Sequence, residues 1–277
     1  MRLISPPIPI REFLRAVAIA CLAFSGGCSR GEASGETAWS YEVGPNGPVN
    51  WGKLTPDYWV CSAGLMQSPI ALPKTDADSG AAIGDIQYSY VPAAAGTVSV
   101  WNTGHTVEVT FPEGSSVDIE NTDFTGDSTF ALTEVHFHHP SEHTIRGKPY
   151  PLEAHFVHKT FNGVVATIAV FFEESETPNK ALEPIWAVMS GADAVTAGKV
   201  RLSEAFSVAD LLPEVKSYIR YNGSLAEPPC TERVTWSVLL EPLPISKGQI
   251  DAFAALYKQN FRPTQPLNGR ATPLNSQ

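Results

Sequence analysis

Thr133-Glu134-Val135-His136-Phe137-His138, answered further along by Glu153-Ala154-His155-Phe156-Val157-His158, is the stretch on which the fold turns. Successive side chains of a strand point to opposite faces, so Glu134, His136 and His138 share one side while Val135 and Phe137 take the other. Across a loop containing Gly147 and Lys148, the second segment places Glu153, His155 and Val157 on one face and Ala154, Phe156 and His158 on the other. All seven histidines of the chain lie between positions 105 and 158, a clustering that a general solvating role would not produce.

Working outward, the same period of two recurs. Residues 98–109, 130–138, 153–158, 164–172 and 233–240 are rich in Val, Thr and aromatics, are bounded by Gly, Pro and Asn, and predict strands. Helical patterns are short: 180–189, 207–212 behind a Ser207 cap, and 246–259, where Ser246, Gln249 and the spacing of Ile250, Phe253, Leu256 and Tyr257 predict a capped amphipathic helix. The fold class is therefore mostly β (α+β). With no internal repeat and no linker after about residue 40, a single domain over 39–272 is the expected organisation.

His136 and His138 share one side, and His155 can complete a set of three imidazoles. An isolated His-x-His in a strand is ordinarily surface or core decoration. A third histidine with a carboxylate two residues before it points instead to metal. Three neutral imidazoles suit Zn2+, and three protein ligands rather than four leave a tetrahedral position open for water, as in a catalytic site. Glu134 and Glu153 are placed to accept from the far nitrogen of an imidazole and orient it.

The chain has 277 residues, 19 Lys+Arg against 29 Asp+Glu, and a net charge of −10. That excludes an electrostatic grip on nucleic acid or anionic lipid as the default function. With 43% hydrophobic and 17% charged residues, the chain has the composition of a folded protein rather than of a disordered one. Its first 27 residues resemble an export signal: Arg2, Arg11 and Arg15, then an apolar run over 16–24 and the small residues Ser25, Gly26 and Gly27. A polar linker, 28–38, follows. Small residues before Cys28 resemble a lipoprotein signal, although Ser25 stands where that pattern has Leu; lipidation at Cys28 and simple cleavage nearby both stay open. Removing residues 1–27 takes away three Arg and one Glu, moving the charge from −10 to −12. The expected location is the periplasm or cell envelope, with a lipid tether at Cys28 if it is acylated. Two cysteines remain in the domain, Cys61 and Cys230, and in an oxidising compartment each has a partner in the other.

At this point the chain resembles an α-class carbonic anhydrase of the bacterial exported type. The resemblance rests on Trp39-Ser40-Tyr41, Gly47-Pro48, Trp51, and Cys61 through Gly64 to Gln67-Ser68-Pro69-Ile70. It continues through His136 to Thr144, Glu153 and His155, then Tyr221, Gly223-Ser224-Leu225, Pro228-Pro229-Cys230, Trp236 and 260–270. It implies a large twisted, mostly antiparallel central sheet with short peripheral helices, and a zinc-dependent, reversible hydration of carbon dioxide to bicarbonate, that is, a carbonate dehydratase. It also implies His105 as a proton shuttle, for which an imidazole titrating near neutrality is suited. Glu142 matches the buried carboxylate of a hydrogen-bond relay, and His143 and His158 match packed structural histidines. Val157, Leu225, Ala226 and Trp236 fall in the pocket, Glu108 near it, and the resemblance independently supports the Cys61–Cys230 bridge.

The chain departs from that family after Gly-Ser-Leu. Where the family has a threonine that accepts from the zinc-bound nucleophile and donates to the relay glutamate, this chain has Ala226, and Glu227 follows. A methyl group can do neither, so turnover is expected to fall. Glu227 opposes negative charge beside it, or itself accepts from the zinc-bound water and acts as a general base. Three readings follow: a carbonate dehydratase of reduced turnover, acting on CO2 and bicarbonate; a zinc hydrolase or esterase on the same scaffold; and a non-catalytic binding protein.

Overall fold

A computed structural model describes residues 38–72, 83–120, 128–189 and 198–275. The expected export signal, Cys28 and nearly all of the expected polar linker lie outside the described residues. The long period-two segments become the central strands: β1 (Ser99–Asn102), β2 (Val107–Thr110), β3 (Thr129–His138), β4 (Leu152–Lys159), β5 (Val165–Ser175), β6 (Tyr218–Ser224) and β7 (Glu232–Leu239). They sit in one sheet in the order β1-β2-β3-β4-β5-β7-β6, with short strands at Val200–Arg201 and Leu274–Asn275 on its two ends. Pairing is antiparallel except around β5, which runs parallel to β7 and to Leu243–Ser246. The predicted segment 98–109 is two strands joined by a turn, with Gly104 at φ +88°.

The strand carrying the decisive motif does not keep one period throughout. Leu132 pairs with His158, but Glu134 pairs with Val157, so the register shifts by one residue at Thr133. That bulge inverts the alternation. On its N-terminal side Phe130 and Leu132 face the core; on its C-terminal side Val135 and Phe137 do. Strict alternation from Phe130 to His138 would have placed Phe130 and Leu132 on the same side as the histidines. Thr133 Oγ1 donates to the Val157 carbonyl at 2.9 Å, which ties the extra residue to the neighbouring strand.

The predicted helices survive in shorter form. Residues 180–189 divide into a 3-10 turn (Lys180–Leu182) and α1 (Glu183–Met189). Residues 207–212 form only a 3-10 turn, Val208–Leu211, and Ser207 makes no side-chain cap, so that expectation is corrected. The C-terminal helix α2 (Lys247–Leu256) has the reciprocal Ser246–Gln249 capping box. It stops before the predicted end because Tyr257 turns extended and sends its hydroxyl to Asn102 and to the Thr106 carbonyl. These helices cover one face of the sheet: Phe137 meets Trp186 and Phe253 edge to face in the main core, and Trp186 and Phe253 stack on each other. The other face holds the polar constellation, closed by a second cluster around Ile70, Phe171, Tyr221 and Trp236.

A third cluster, Tyr41 and Trp51 with Cys61 and Cys230, joins the N-terminal turns to the loop after β6. Cys61 and Cys230 form a disulfide across a separation of 169 residues. In the chain-entropy model a loop of that size contributes at most about 5 kcal/mol, and removing such bridges typically costs about 2–5 kcal/mol. Replacing both cysteines by Ala is therefore expected to lower the unfolding free energy by a few kcal/mol, read as a lower urea midpoint with a steeper slope, because the unfolded chain is released from the cross-link.

Buried histidine adds a pH dependence. Burial holds His158 down at about 4, in the core and bonded through Nε2 to the Tyr90 hydroxyl at 2.8 Å. The unfolded chain binds that proton below about 6.5 and the folded chain does not, so stability is intact above that pH and falls as pH drops toward 4. Urea titrations between pH 7 and 4 should show a loss of roughly 3 kcal/mol from this residue, since each pKa unit is about 1.4 kcal/mol.

Candidate metal centre

His136 on β3 and His155 on β4 are direct cross-strand partners, and His138 lies two residues beyond His136 on the same face. The ring centroids stand 5.1 Å (136–138), 5.1 Å (136–155) and 4.5 Å (138–155) apart. One nitrogen of each ring faces a common point, and the three facing atoms all lie within 4.8 Å of one another. His155 Nδ1 and His136 Nε2 are 3.3 Å apart, and the buried His138 Nε2 has no hydrogen-bond partner. Nitrogens at about 2.0–2.1 Å from a tetrahedral zinc would be separated by about 3.3 Å.

The far nitrogens explain why the rings point this way. His136 Nδ1 lies 3.2 Å from Glu134 Oε1, His138 Nδ1 lies 2.6 Å from the Asn260 carbonyl, and His155 Nε2 lies 2.8 Å from Glu153 Oε1. A carboxylate and a carbonyl only accept, so each far nitrogen carries the proton and each inward nitrogen presents a lone pair. The donor set fits zinc on residue type, tautomer and spacing.

Electrostatics keep two of these rings neutral. Burial, with His155 and His136 adding to it, pushes His138 well below the ordinary imidazole range. Burial likewise takes His155 down to about 4 against the opposing charge of Glu153. His136 goes the other way: burial is outweighed by the bond and charge of Glu134, with Glu227 and Glu108 adding to it. Burial pushes Glu153 up, but His143 and His155 overcome it and hold the carboxyl well below the usual range. Glu153 also takes the His143 backbone N–H at 2.9 Å and His143 Nδ1 at 2.6 Å; His143 Nε2 meets the Tyr221 hydroxyl at 2.7 Å. His143 is thus a support for Glu153.

Above the triad opens a cavity of about 500 Å3 whose lining includes Val157, Leu225, Ala226, Glu227 and Trp236, all anticipated from sequence. A larger open groove of about 970 Å3 around Trp59, Leu65 and Met66 contains no imidazole. Ala226 and Glu227 ride on a tight turn in which the Cys230 N–H donates to the Glu227 carbonyl and the Leu225 N–H to the Thr231 carbonyl. The turn is seated closely: a Cβ on Gly223 would come 2.1 Å from Ser68 Oγ.

Glu142 is buried below the triad. Its Oε1 accepts the Arg262 backbone N–H at 2.7 Å, and its Oε2, 4.0 Å from His155 Nδ1, has no partner. Burial pushes this carboxyl well above its usual range, against the bond from Arg262. His105 stands outside the cavity lining: its ring stacks on Trp39 at 3.8 Å, and Tyr41 lies between it and His138, with centroids 6.4 and 6.0 Å away.

Two contributors were not legible. The acceptor for His138 is a backbone carbonyl, Asn260, which no side-chain pattern announces. Tyr41 reaches the cavity from the N-terminal turns, and only tertiary packing brings it there.

Glu134 is partly exposed, with 29% of its side chain accessible, and its removal should leave the fold intact. Glu134→Gln is expected to weaken zinc binding at least tenfold, measured by competition with a chelating dye, with an unchanged circular dichroism spectrum.

A family model described as eukaryotic-type carbonic anhydrase matches residues 46–275. The chain is 38% identical to the carbonic anhydrase of Neisseria gonorrhoeae over 95% of its own length and 97% of that protein. It is also 38% identical to the carbonic anhydrase of Pectobacterium atrosepticum, over 88% of its own length and 93% of that protein. Among solved structures it resembles the α-carbonic anhydrase of Thermovibrio ammonificans in complex with sulfanilamide, with TM-score 0.77 and 38% identity, covering 86% of this chain and all of that one.

Proposed function

This chain belongs to the eukaryotic-type carbonic anhydrase family, and from that premise we propose that it hydrates carbon dioxide reversibly at a zinc held by His136, His138 and His155. The observation that carries this reading is the convergence of three inward imidazole nitrogens whose outward nitrogens each meet a pure acceptor. When bound, zinc supplies a Lewis acid that lowers the pKa of its water to about 7, a value known from carbonic anhydrases themselves.

The protein's own groups do the rest. Glu134, Asn260 and Glu153 fix ring orientation and tautomer. Val157, Leu225 and Trp236 give CO2, an apolar molecule, an apolar wall. His105 carries the proton between this cavity and solvent, from a ring seated on Trp39.

Turnover is reduced because Ala226 offers no hydroxyl beside the metal, consistent with the unpartnered Oε2 of Glu142. Glu227, in the cavity lining, is the remaining acceptor for the attacking water. That placement also favours a second reading, hydrolysis of an ester with Glu227 as general base. The third reading, a binding protein without catalysis, is weaker because all three ligands are retained.

Export is supported by the Cys61–Cys230 bridge. Among the described residues no helix is long and apolar enough to cross a membrane. A lipid tether at Cys28 remains part of the proposal.

Stopped-flow CO2 hydration from about pH 6 to 9, on protein of measured zinc content, is expected to give zinc-dependent turnover. Ala226→Thr combined with Glu227→Thr should raise kcat at least tenfold by restoring the hydroxyl. Full zinc occupancy with no hydration above buffer, together with an esterase activity lost in Glu227→Gln, would replace this reading by the hydrolase.

A further inference from the structure

The wall of the cavity carries three carboxylates, Glu108, Glu134 and Glu227, against one ammonium, Lys159, and Lys159 is exposed. Glu108 is the cross-strand partner of His136, which puts its carboxylate beside the triad on the β2 side. Glu134 lies against His136 itself. Glu227 approaches from the opposite side, on the turn held by the Cys230 N–H. The nearest compensating cation for Glu108 is Lys199, whose Nζ is 3.8 Å from Oε1 with 48% of its side chain accessible. With its ammonium half exposed against a Glu108 side chain only 18% accessible, that pair is partly screened by solvent and neutralises only part of the field inside. Much of the remaining wall, Val157, Val165, Leu225 and Trp236, is apolar and does not screen it.

We propose that Glu108 and Glu227, added to Glu134, make the open position of this metal centre selective against anions, so that inorganic monoanions and the bicarbonate product bind weakly while neutral ligands do not. This rests on the zinc reading above and names which molecules the site admits. CO2 carries no charge and enters without penalty. Bicarbonate carries one negative charge and is expelled, which favours release after hydration and weakens binding in the dehydration direction. A like charge about 8 Å away, at an effective dielectric constant of about 30, lowers affinity roughly tenfold.

The experiment loads the purified protein with Co2+ and follows its visible absorption while titrating thiocyanate as the anionic probe and imidazole as the neutral one. Glu108→Gln and Glu227→Gln keep side-chain size and remove charge; Glu134 is left intact because it holds a ligand. Each variant is expected to bind thiocyanate about tenfold more tightly than wild type, with imidazole affinity changed less than twofold. The double variant should bind thiocyanate more tightly than either.

Thiocyanate affinity indifferent to both substitutions, in a protein that takes up Co2+ and hydrates CO2 with zinc, would overturn this inference and leave the proposed function standing. Equal tightening of both probes would overturn it too, since a wider cavity rather than charge would then be responsible. Failure of the wild type to take up Co2+ at the triad would overturn the zinc reading, and the inference with it.

Discussion

The centre depends on the register between Thr129–His138 and Leu152–Lys159. Only with His136 opposite His155 do two imidazoles from different strands face one another, with His138 close enough to close the triangle. A slip of one residue would send the histidines into the hydrocarbon core and bring Val135 and Phe137 to the cavity. The bulge at Thr133 lets one strand serve two ends: before it the strand packs Phe130 and Leu132 into the core in one phase, and after it Val135 and Phe137 in the other. The ligand face is therefore polar over a single short stretch, where the cavity opens.

Burying three imidazoles beside two carboxylates is costly unless each polar atom is answered. Glu153, fully buried, answers His155 and both the ring and the backbone of His143, and Tyr221 and Ser68 extend the chain of bonds. At the triad itself, His138 Nε2 and Glu142 Oε2 stay unanswered. An unpartnered imidazole nitrogen aimed at two other imidazoles fits a partner from outside the chain. On the proposed reading the partner of His138 Nε2 is the metal, and Glu142 Oε2 is left over because Ala226 has no hydroxyl to offer it.

How much of this was legible follows from what kind of signal each residue gives. His136, His138, His155, Glu134 and Glu153 announce themselves because a strand converts spacing directly into facing. The capping box of Lys247–Leu256 is equally local. The bulge is not, since one extra residue leaves the hydrophobic pattern readable as a single strand, and its effect appears only in pairing. Ser207 has the right chemistry for a cap, but the segment behind it is too short to need one. Asn260 contributes a backbone oxygen and Tyr41 contributes position, and neither is encoded in a periodicity. His105 is singled out only by the family resemblance of Asn102-Thr103-Gly104-His105-Thr106, and its contact with Trp39 joins residues far apart in the chain.

The replacements at 226 and 227 bear on one another. On the proposed reading, Ala226 leaves the attacking water without a hydroxyl acceptor, and Glu227, one residue later, returns an acceptor at the expense of negative charge. The surroundings of the triad already lean acidic, because the acceptor for His136 is the carboxylate of Glu134. A decaying site would lose such features independently, ligands included. Here the three imidazoles, the acceptors of their far nitrogens and the apolar wall are all present, and on the proposed reading Glu108, Glu134 and Glu227 together make a cavity that disfavours anions. That coherence is what an active centre with altered electrostatics should look like, and it sets Glu227 apart from the surface acids that make the chain as a whole negative.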